Sequence, residues 1–331
     1  MANLNLIKLY DLFDCKIDGP LNERTLQSLQ EWGLIPREGT YLCPEGHPLK
    51  LKQCAQSVDG YVWRCTTAIK GKKKNVRCDV YISLRKDTFF AKSRLSIFKI
   101  VAFAYLWVKN LTLDVIMEEL SISNHTASDW SSFCREVVYD GMVVNKNKIG
   151  GLGKVVEIDE SKFGRRKYHR GHRVEGQWVF GGVERETNRC FLVPVEKRDK
   201  ETLLKIIKDW ILPGTIVVSD FWKAYDCLSE EGYIHFRVNH SIDFKDPDTE
   251  QHTNTIEGLW RHVKCSMPQY HRKKLFFNGY LAKFMFNRNC KNCDTDRLST
   301  FLKMAGRLYN PCSIKPVEEE EQEEYEIEIS L

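Results

Sequence analysis

The chain has 331 residues, 42% hydrophobic and 11% aromatic, enough for a packed core and against global disorder. No stretch approaches about 20 uninterrupted apolar residues, and the N-terminus lacks a basic lead and a clean apolar run, which predicts neither a membrane span nor secretion. Net charge is +5, yet eight Glu follow Pro316; without them 50 Lys and Arg face 37 Asp and Glu, a basic body suited to a polyanion, nucleic acid first.

The length suggests two or three domains. Residues 1–36 predict one or two short helices, the second with Asn22 at its cap and a Gly-to-Pro stop after it. Residues 41–90 change character. Apolar and polar residues alternate between turn signals, as in β-hairpins, and Cys43, His47, Cys65 and Cys78 fall at the hairpin ends. That layout is zinc-ribbon-like, a metal standing in for a core too small to hold itself. The first knuckle is C-x3-H rather than C-x2-C and Cys54 competes as a ligand, so Zn²⁺ binding and a metal-free hairpin both fit. The lysine run at 70–74 suits either a nuclear localisation signal or a solvated loop. Twelve irregularly spaced cysteines suit reduced thiols better than a disulfide framework, which predicts the nucleus in a eukaryote and otherwise the cytoplasm.

Residues 93–140 switch to helical period. An amphipathic helix is followed by "TLDVIMEELSI", with Thr112 as cap, and by "SNHTASDWSSFCREVVYD", opening at Ser123 or Asn124. The short turn before exposed Asn124, His125 and Thr126 fits a helix-turn-helix, whose second helix reads the major groove from its N-terminal end; an ordinary helical bundle fits the periodicity equally well. Residues 154–290 then alternate. Three hairpin-linked strands, "KVVEID", "GQWVFGGVER" and "RCFLVPVEK", precede a helix, the strand "GTIVVSD", a helix over "FWKAYDCLSEEG", the strand "IHFRVN" and two further helices. This is the order of an α/β ribonuclease H-like core. The tail, 316–331, reads as acidic and disordered.

Within that layout Asp159 is expected to end the first strand, Asp220 the fourth, and Glu257 to enter from the first turns of a helix packed on the sheet. The first and fourth strands are central neighbours, so the three carboxylates converge. Convergent carboxylates repel unless a cation neutralises them, and all-oxygen ligation suits two Mg²⁺ or Mn²⁺ acting on a phosphodiester. The run Arg165, Arg166, Lys167, His169, Arg170, His172 and Arg173 would hold the DNA backbone being cut. His252 flanks the triad and Asn254 lies one helical turn before Glu257, so both stand beside it as supporting candidates. Trp178 and Trp260 read as core, and Cys290 and Cys293 as free thiols.

The segments "VVEIDESKFGRRKYHRGHRVEGQWVFGGVERET", "TIVVSDFWKAYD" and "HTNTIEGLWRHVK" resemble the Merlin superfamily of cut-and-paste DNA transposases and bacterial transposases with an ISXO2-like domain. The resemblance runs from about Asp59 to Arg288. It implies an Asp-Asp-Glu triad at Asp159, Asp220 and Glu257, although some relatives use Asn as third ligand, which keeps Asn254 in view. It also implies an N-terminal helix-turn-helix with a zinc-ribbon-like segment for terminal-repeat DNA, double-stranded transposon ends and target as partners, and a homo-oligomeric assembly. Two rivals share the core: a DNA-binding protein derived from such an element that no longer cuts, and a simple ribonuclease H or junction nuclease, which leaves the front modules unexplained.

Overall fold

The computed structural model describes residues 4–68, 77–164, 176–238, 252–267 and 276–312. The lysine run at 70–74 and the acidic tail lie outside them. In chain order the elements are α1 (Leu6–Leu12), α2 (Glu23–Glu31), β1 (Lys50–Gln53), β2 (Tyr61–Arg64), β3 (Tyr81–Ser83), α3 (Ile97–Val108), α4 (Leu113–Leu120) and α5 (Asn124–Tyr139). A π-helical turn, Asp140–Val144, precedes β4 (Ile149–Gly150), β5 (Val155–Phe163), β6 (Gln177–Glu184), β7 (Cys190–Val195), α6 (Lys200–Trp210) and β8 (Ile211–Leu212). Then come β9 (Ile216–Asp220), β10 (Ile234–Val238), α7 (Asn254–Ser266), α8 (Phe277–Asn292) and α9 (Arg297–Leu308). None of these helices is long and apolar enough to cross a membrane.

The chain divides into two compact units, Leu12–Ile97 with Ala305–Leu331, and Met1–Asp11 with Phe98–Met304. In the first, Asn22 caps α2 by accepting from the Thr25 N–H at 2.7 Å, as its side-chain chemistry favours. Strands β1, β2 and β3 form an antiparallel sheet, one strand more than a single hairpin. Trp63 is fully buried and meets Tyr41 edge-on at 5.6 Å. The Arg85 guanidinium grips buried Asp59 through two bonds of 2.7 and 2.6 Å and reaches the Ser93 and Leu95 carbonyls with its remaining nitrogen. Both charges are therefore matched, each carboxylate oxygen and each guanidinium nitrogen is hydrogen-bonded, and burial of such an ion pair is tolerated.

The second unit holds the larger sheet, ordered β10-β9-β5-β6-β7. Strands β5, β6 and β7 run antiparallel in sequence, β9 joins β5 in parallel, and β10 joins β9 in parallel. That is the mixed α/β order expected of a ribonuclease H-like core. Two local expectations are corrected. The residues 221–232 form no α-helix; a 3-10 turn at Lys223–Tyr225 and further i→i+3 bonds carry the chain, because Tyr225, Cys227, Leu228 and Tyr233 are all buried at spacings that one helical face cannot supply. Helix α3 is buried on nearly every side rather than amphipathic, since Trp107 packs at 6.1 Å from Phe301 of α9, a helix the periodicity had not shown. Helices α4 and α5 are joined by three residues, with Ser121 left-handed at the turn and Ser123 capping α5.

Candidate functional site

Strand β5 is the longest of the sheet, and its length corrects one expectation. Asp159 does not end it: the ladder to β6 continues through Phe163↔Gln177. The ladder to β9 covers only Val155 to Glu157, and β9 ends at Asp220. Asp159 thus lies just past the end of the parallel pairing, where the sheet opens on that side. Period-2 alternation puts Glu157, Asp159 and Ser161 on one face of β5 and Ile158, Glu160 and Lys162 on the other.

Helix α7 packs on the first face, burying Ile256, Leu259, Trp260 and Val263. Trp260 donates its indole N–H to Asp159 Oδ2 at 2.8 Å. The approach depends on Gly181, which pairs with Asp159 across the ladder; a Cβ there would lie 2.8 Å from Trp260 Cη2. Glu157, fully buried, accepts from the Ile256 backbone N–H at 2.9 Å and from Arg185 Nε at 2.7 Å, with His252 Nδ1 at 3.5 Å. Arg185 also donates to the His252 carbonyl at 2.6 Å. A carboxylate thereby occupies the N-terminus of α7, which Thr253 leaves without a side-chain cap, and where helix dipole and unsatisfied N–H groups favour negative charge. Glu257 sits in the next position on α7, exposed in its first turn with Asn254.

The electrostatics report convergence. Burial pushes the Asp159 carboxyl up to about 6, and the negative charges of Asp220 and Glu257 add to that rise against the opposing Trp260 bond. On the other face, Glu160 is raised to about 8, by burial first and then by Asp159 and Asp220, and it accepts from the Tyr225 hydroxyl. Carboxylates pushed up by burial and by neighbouring carboxylates, with oxygen donors only, are the donor chemistry of a hard divalent cation, which Asp159, Asp220 and Glu257 could hold.

Beside them lies a cavity of about 460 Å³ lined by Glu160, Lys162, Phe163, Trp178 and Lys264 among others. Trp178 is half-buried there instead of in the core, and the Arg198 guanidinium lies 3.7 Å over its ring. Sequence reading missed Glu157 as an anchor of α7, Trp260 as the donor to Asp159, and Arg185 and Arg198 altogether. The dipeptide Gly181-Gly182, opposite Asp159 on a strand, was the available signal for a close ring approach. The run Arg165, Arg166, Lys167, His169, Arg170, His172 and Arg173 lies outside the described residues.

The second cluster stands in the small sheet. Ligand atoms of Cys43, His47, Cys65 and Cys78 lie within 4.8 Å of one another, three of the four side chains buried. Cys54 is elsewhere, donating to Gln56 Oε1 at 3.3 Å. The Thr67 backbone N–H draws the Cys65 thiol down to about 7, toward the thiolate that binds metal. Three thiols and an imidazole at this separation fit a tetrahedral Zn²⁺ site. The remaining sequence candidates lie at the α4–α5 turn: Asn124 and His125 are exposed, and Thr126 is half-buried with its hydroxyl 2.9 Å from Ser123 Oγ.

Residues 149–289 match the family described as the ISXO2-like transposase domain. An uncharacterized transposase-like protein of Haemophilus influenzae is 33% identical over 106 residues, covering 32% of this chain and 78% of that protein. The Male abnormal protein mab-31 of Caenorhabditis elegans is 27% identical over 301 residues, covering 86% of this chain and 67% of its own. Among solved structures, the catalytic core domain of BIV integrase aligns over 39% of this chain and 80% of that one, with 12% identity and a TM-score of 0.28, too loose a likeness to carry an argument.

Proposed function

This chain belongs to the ISXO2-like transposase family, and from that premise we propose that it is a Merlin-type DNA transposase, performing metal-dependent phosphodiester hydrolysis and strand transfer at terminal inverted repeats. The observation that carries the reading is the Asp159 carboxyl, half-buried, held by Trp260 and raised by desolvation first and then by the charges of Asp220 and Glu257. Such a group is costly unless something positive completes it.

Asp159, Asp220 and Glu257 would hold two Mg²⁺ or Mn²⁺, which when bound lower the pKa of an attacking water or 3′-hydroxyl and stabilise the leaving oxygen. The protein's own part is placement. Trp260 fixes one carboxylate rotamer, and Glu157 with Arg185 ties down the helix end that presents Glu257. Lys162, Lys264 and Arg198 supply positive charge around the neighbouring cavity for the strand on either side of the scissile phosphate. Exposed Asn124 and His125 at the start of α5 would face base edges, and the Cys43, His47, Cys65 and Cys78 cluster would hold Zn²⁺ as a structural staple. Two copies acting on paired ends would make the working assembly a homo-oligomer, with the nucleus as its compartment in a eukaryote.

The second reading, a host-co-opted DNA-binding protein, is favoured by one fact: the relative spanning 86% of this chain is named for a male abnormality and not as a transposase. Cleavage of a labelled duplex bearing candidate terminal repeats, with Mg²⁺ or Mn²⁺, separates the two. Nicking abolished by Asp159→Asn and by Asp220→Asn, with binding retained, supports the transposase. Tight binding without nicking under either metal supports the co-opted protein.

A further inference from the structure

At the far edge of the sheet, two strands from β5 and so roughly 10 Å across it, a cavity of about 640 Å³ opens between the π-helical turn, β4, β7 and α8. Four cations line it: Lys146, Lys148, Arg189 and Arg288. Lys146 reaches Asp209 at 3.2 Å and lies 5.4 Å over the Trp210 ring. The other three have only neutral partners among the described residues. Lys148 donates to the Lys208 carbonyl at 2.6 Å, and Arg189 to the Asn147 and Lys148 carbonyls at 3.4 and 3.2 Å. Arg288 donates to the Asn188 carbonyl at 2.8 Å and to its Oδ1 at 3.2 Å.

Two features make this more than a solvated basic face. Lys146, Arg189 and Arg288 are half-buried, so their mutual repulsion is less screened than on an open surface. Both guanidiniums are also tethered by carbonyls through some of their donors, which orients the planar fork while leaving further N–H groups unused. Asp209 offsets one charge of four. A concave, pre-oriented set of cations with three positive charges in excess matches a multiply charged oxyanion, and bidentate Arg geometry matches phosphate.

We infer that this cavity is a phosphate-binding site, separate from the carboxylates of β5, β9 and α7. Its occupant is a phosphoryl oxyanion, supplied either by the backbone of duplex DNA running along the sheet edge or by a free polyphosphate.

The test uses the full chain without added divalent metal. Binding of a duplex of arbitrary sequence is followed by anisotropy across a salt series, for wild type, Arg189→Gln/Arg288→Gln, and Lys148→Gln, whose exposed side chain can be lost without harm to the fold. In parallel, pyrophosphate is titrated while melting temperature and alkylation of Cys293, an exposed thiol on the cavity lining, are measured, with exposed Cys15 and Cys312 as references. A DNA occupant predicts at least about a tenfold loss of duplex affinity in the double variant and a salt slope shallower by about two. Lys148→Gln should then show a slope shallower by about one. A small-anion occupant predicts that pyrophosphate stabilises wild type and shields Cys293, that Lys148→Gln weakens both effects, and that duplex binding is unchanged. If no variant alters duplex binding and pyrophosphate neither stabilises wild type nor protects Cys293, the inference is wrong. Nicking at terminal repeats is scored separately, so this outcome leaves the catalytic proposal untouched.

Discussion

Substituting Glu157 by Ala should cost the larger unit about 3–5 kcal/mol, the range for removing one partner of a buried ion pair. The magnitude follows from what is left behind. Arg185, only 22% exposed in its side chain, would lose the carboxylate at 2.7 Å, and the Ile256 N–H would lose its acceptor at 2.9 Å at a helix start with no side-chain cap. An orphaned buried N–H alone costs about 1–3 kcal/mol. For a unit of this size each kcal/mol moves Tm by roughly 2–4 °C, so a drop of roughly 6–20 °C is expected. Differential scanning calorimetry of wild type, Glu157→Ala, Glu157→Gln and Arg185→Ala measures it. Gln keeps an acceptor for Ile256 and should recover part of the loss. Because Glu157 and Arg185 share one network, the double variant should fall well short of the sum of the singles. A Glu157→Ala protein melting within about 2 °C of wild type, or fully additive singles, would refute the anchoring role.

Purified from zinc-replete medium, the protein should carry a single zinc per chain by elemental analysis; Cys78→Ser should lose it and melt the smaller unit earlier, as folding and metal binding are coupled. In metal-free protein the raised Asp159 and Glu160 pKa values make the folded state the stronger proton binder, so their stability contribution is full below the ordinary carboxylate range and is lost as pH rises through about 6 and about 8. Urea titrations from pH 4 to 9 should show that fall, with Glu160→Gln flattening its upper part. Gly181→Ala places a methyl 2.8 Å from the Trp260 ring; it should cost about 1–3 kcal/mol as overpacking does and reduce nicking while duplex binding persists. Arg85→Lys replaces a fork that makes four bonds with a point charge, and thermal denaturation should show about 2–4 kcal/mol lost from the smaller unit.

Much of the architecture was legible because it rests on short-range regularities. Continuous apolar runs marked the buried central strands, and Asn22, Thr112 and Ser123 marked helix starts through a chemistry confined to one turn. Asp159, Asp220 and Glu257 could likewise be named as candidates, since a strand–helix order ranks which ends can meet. Legibility failed wherever a residue's neighbour lay far along the chain. Helix α9 escaped notice, and α3 read as amphipathic, because the face it buries is covered by Phe301 nearly 200 residues later. The stretch after Asp220 read as a helix because periodicity does not register a Tyr225 that must turn under the sheet to reach Glu160.

By itself, then, the chain determined its alternation of elements, its basic body and the acidic and Cys/His candidates, all properties of local pattern and composition. Tertiary structure alone decided that β5 outruns β9 and leaves Asp159 beyond the parallel ladder, and that Glu157 turns from a companion acid into the anchor of α7. It also brought Cys43 and His47 to Cys65 and Cys78 and drew four cations around one cavity at the sheet edge. The physical reason is common to these cases: charge, burial and hydrogen bonding act through space, while a sequence pattern reports only what lies within a few residues along the chain.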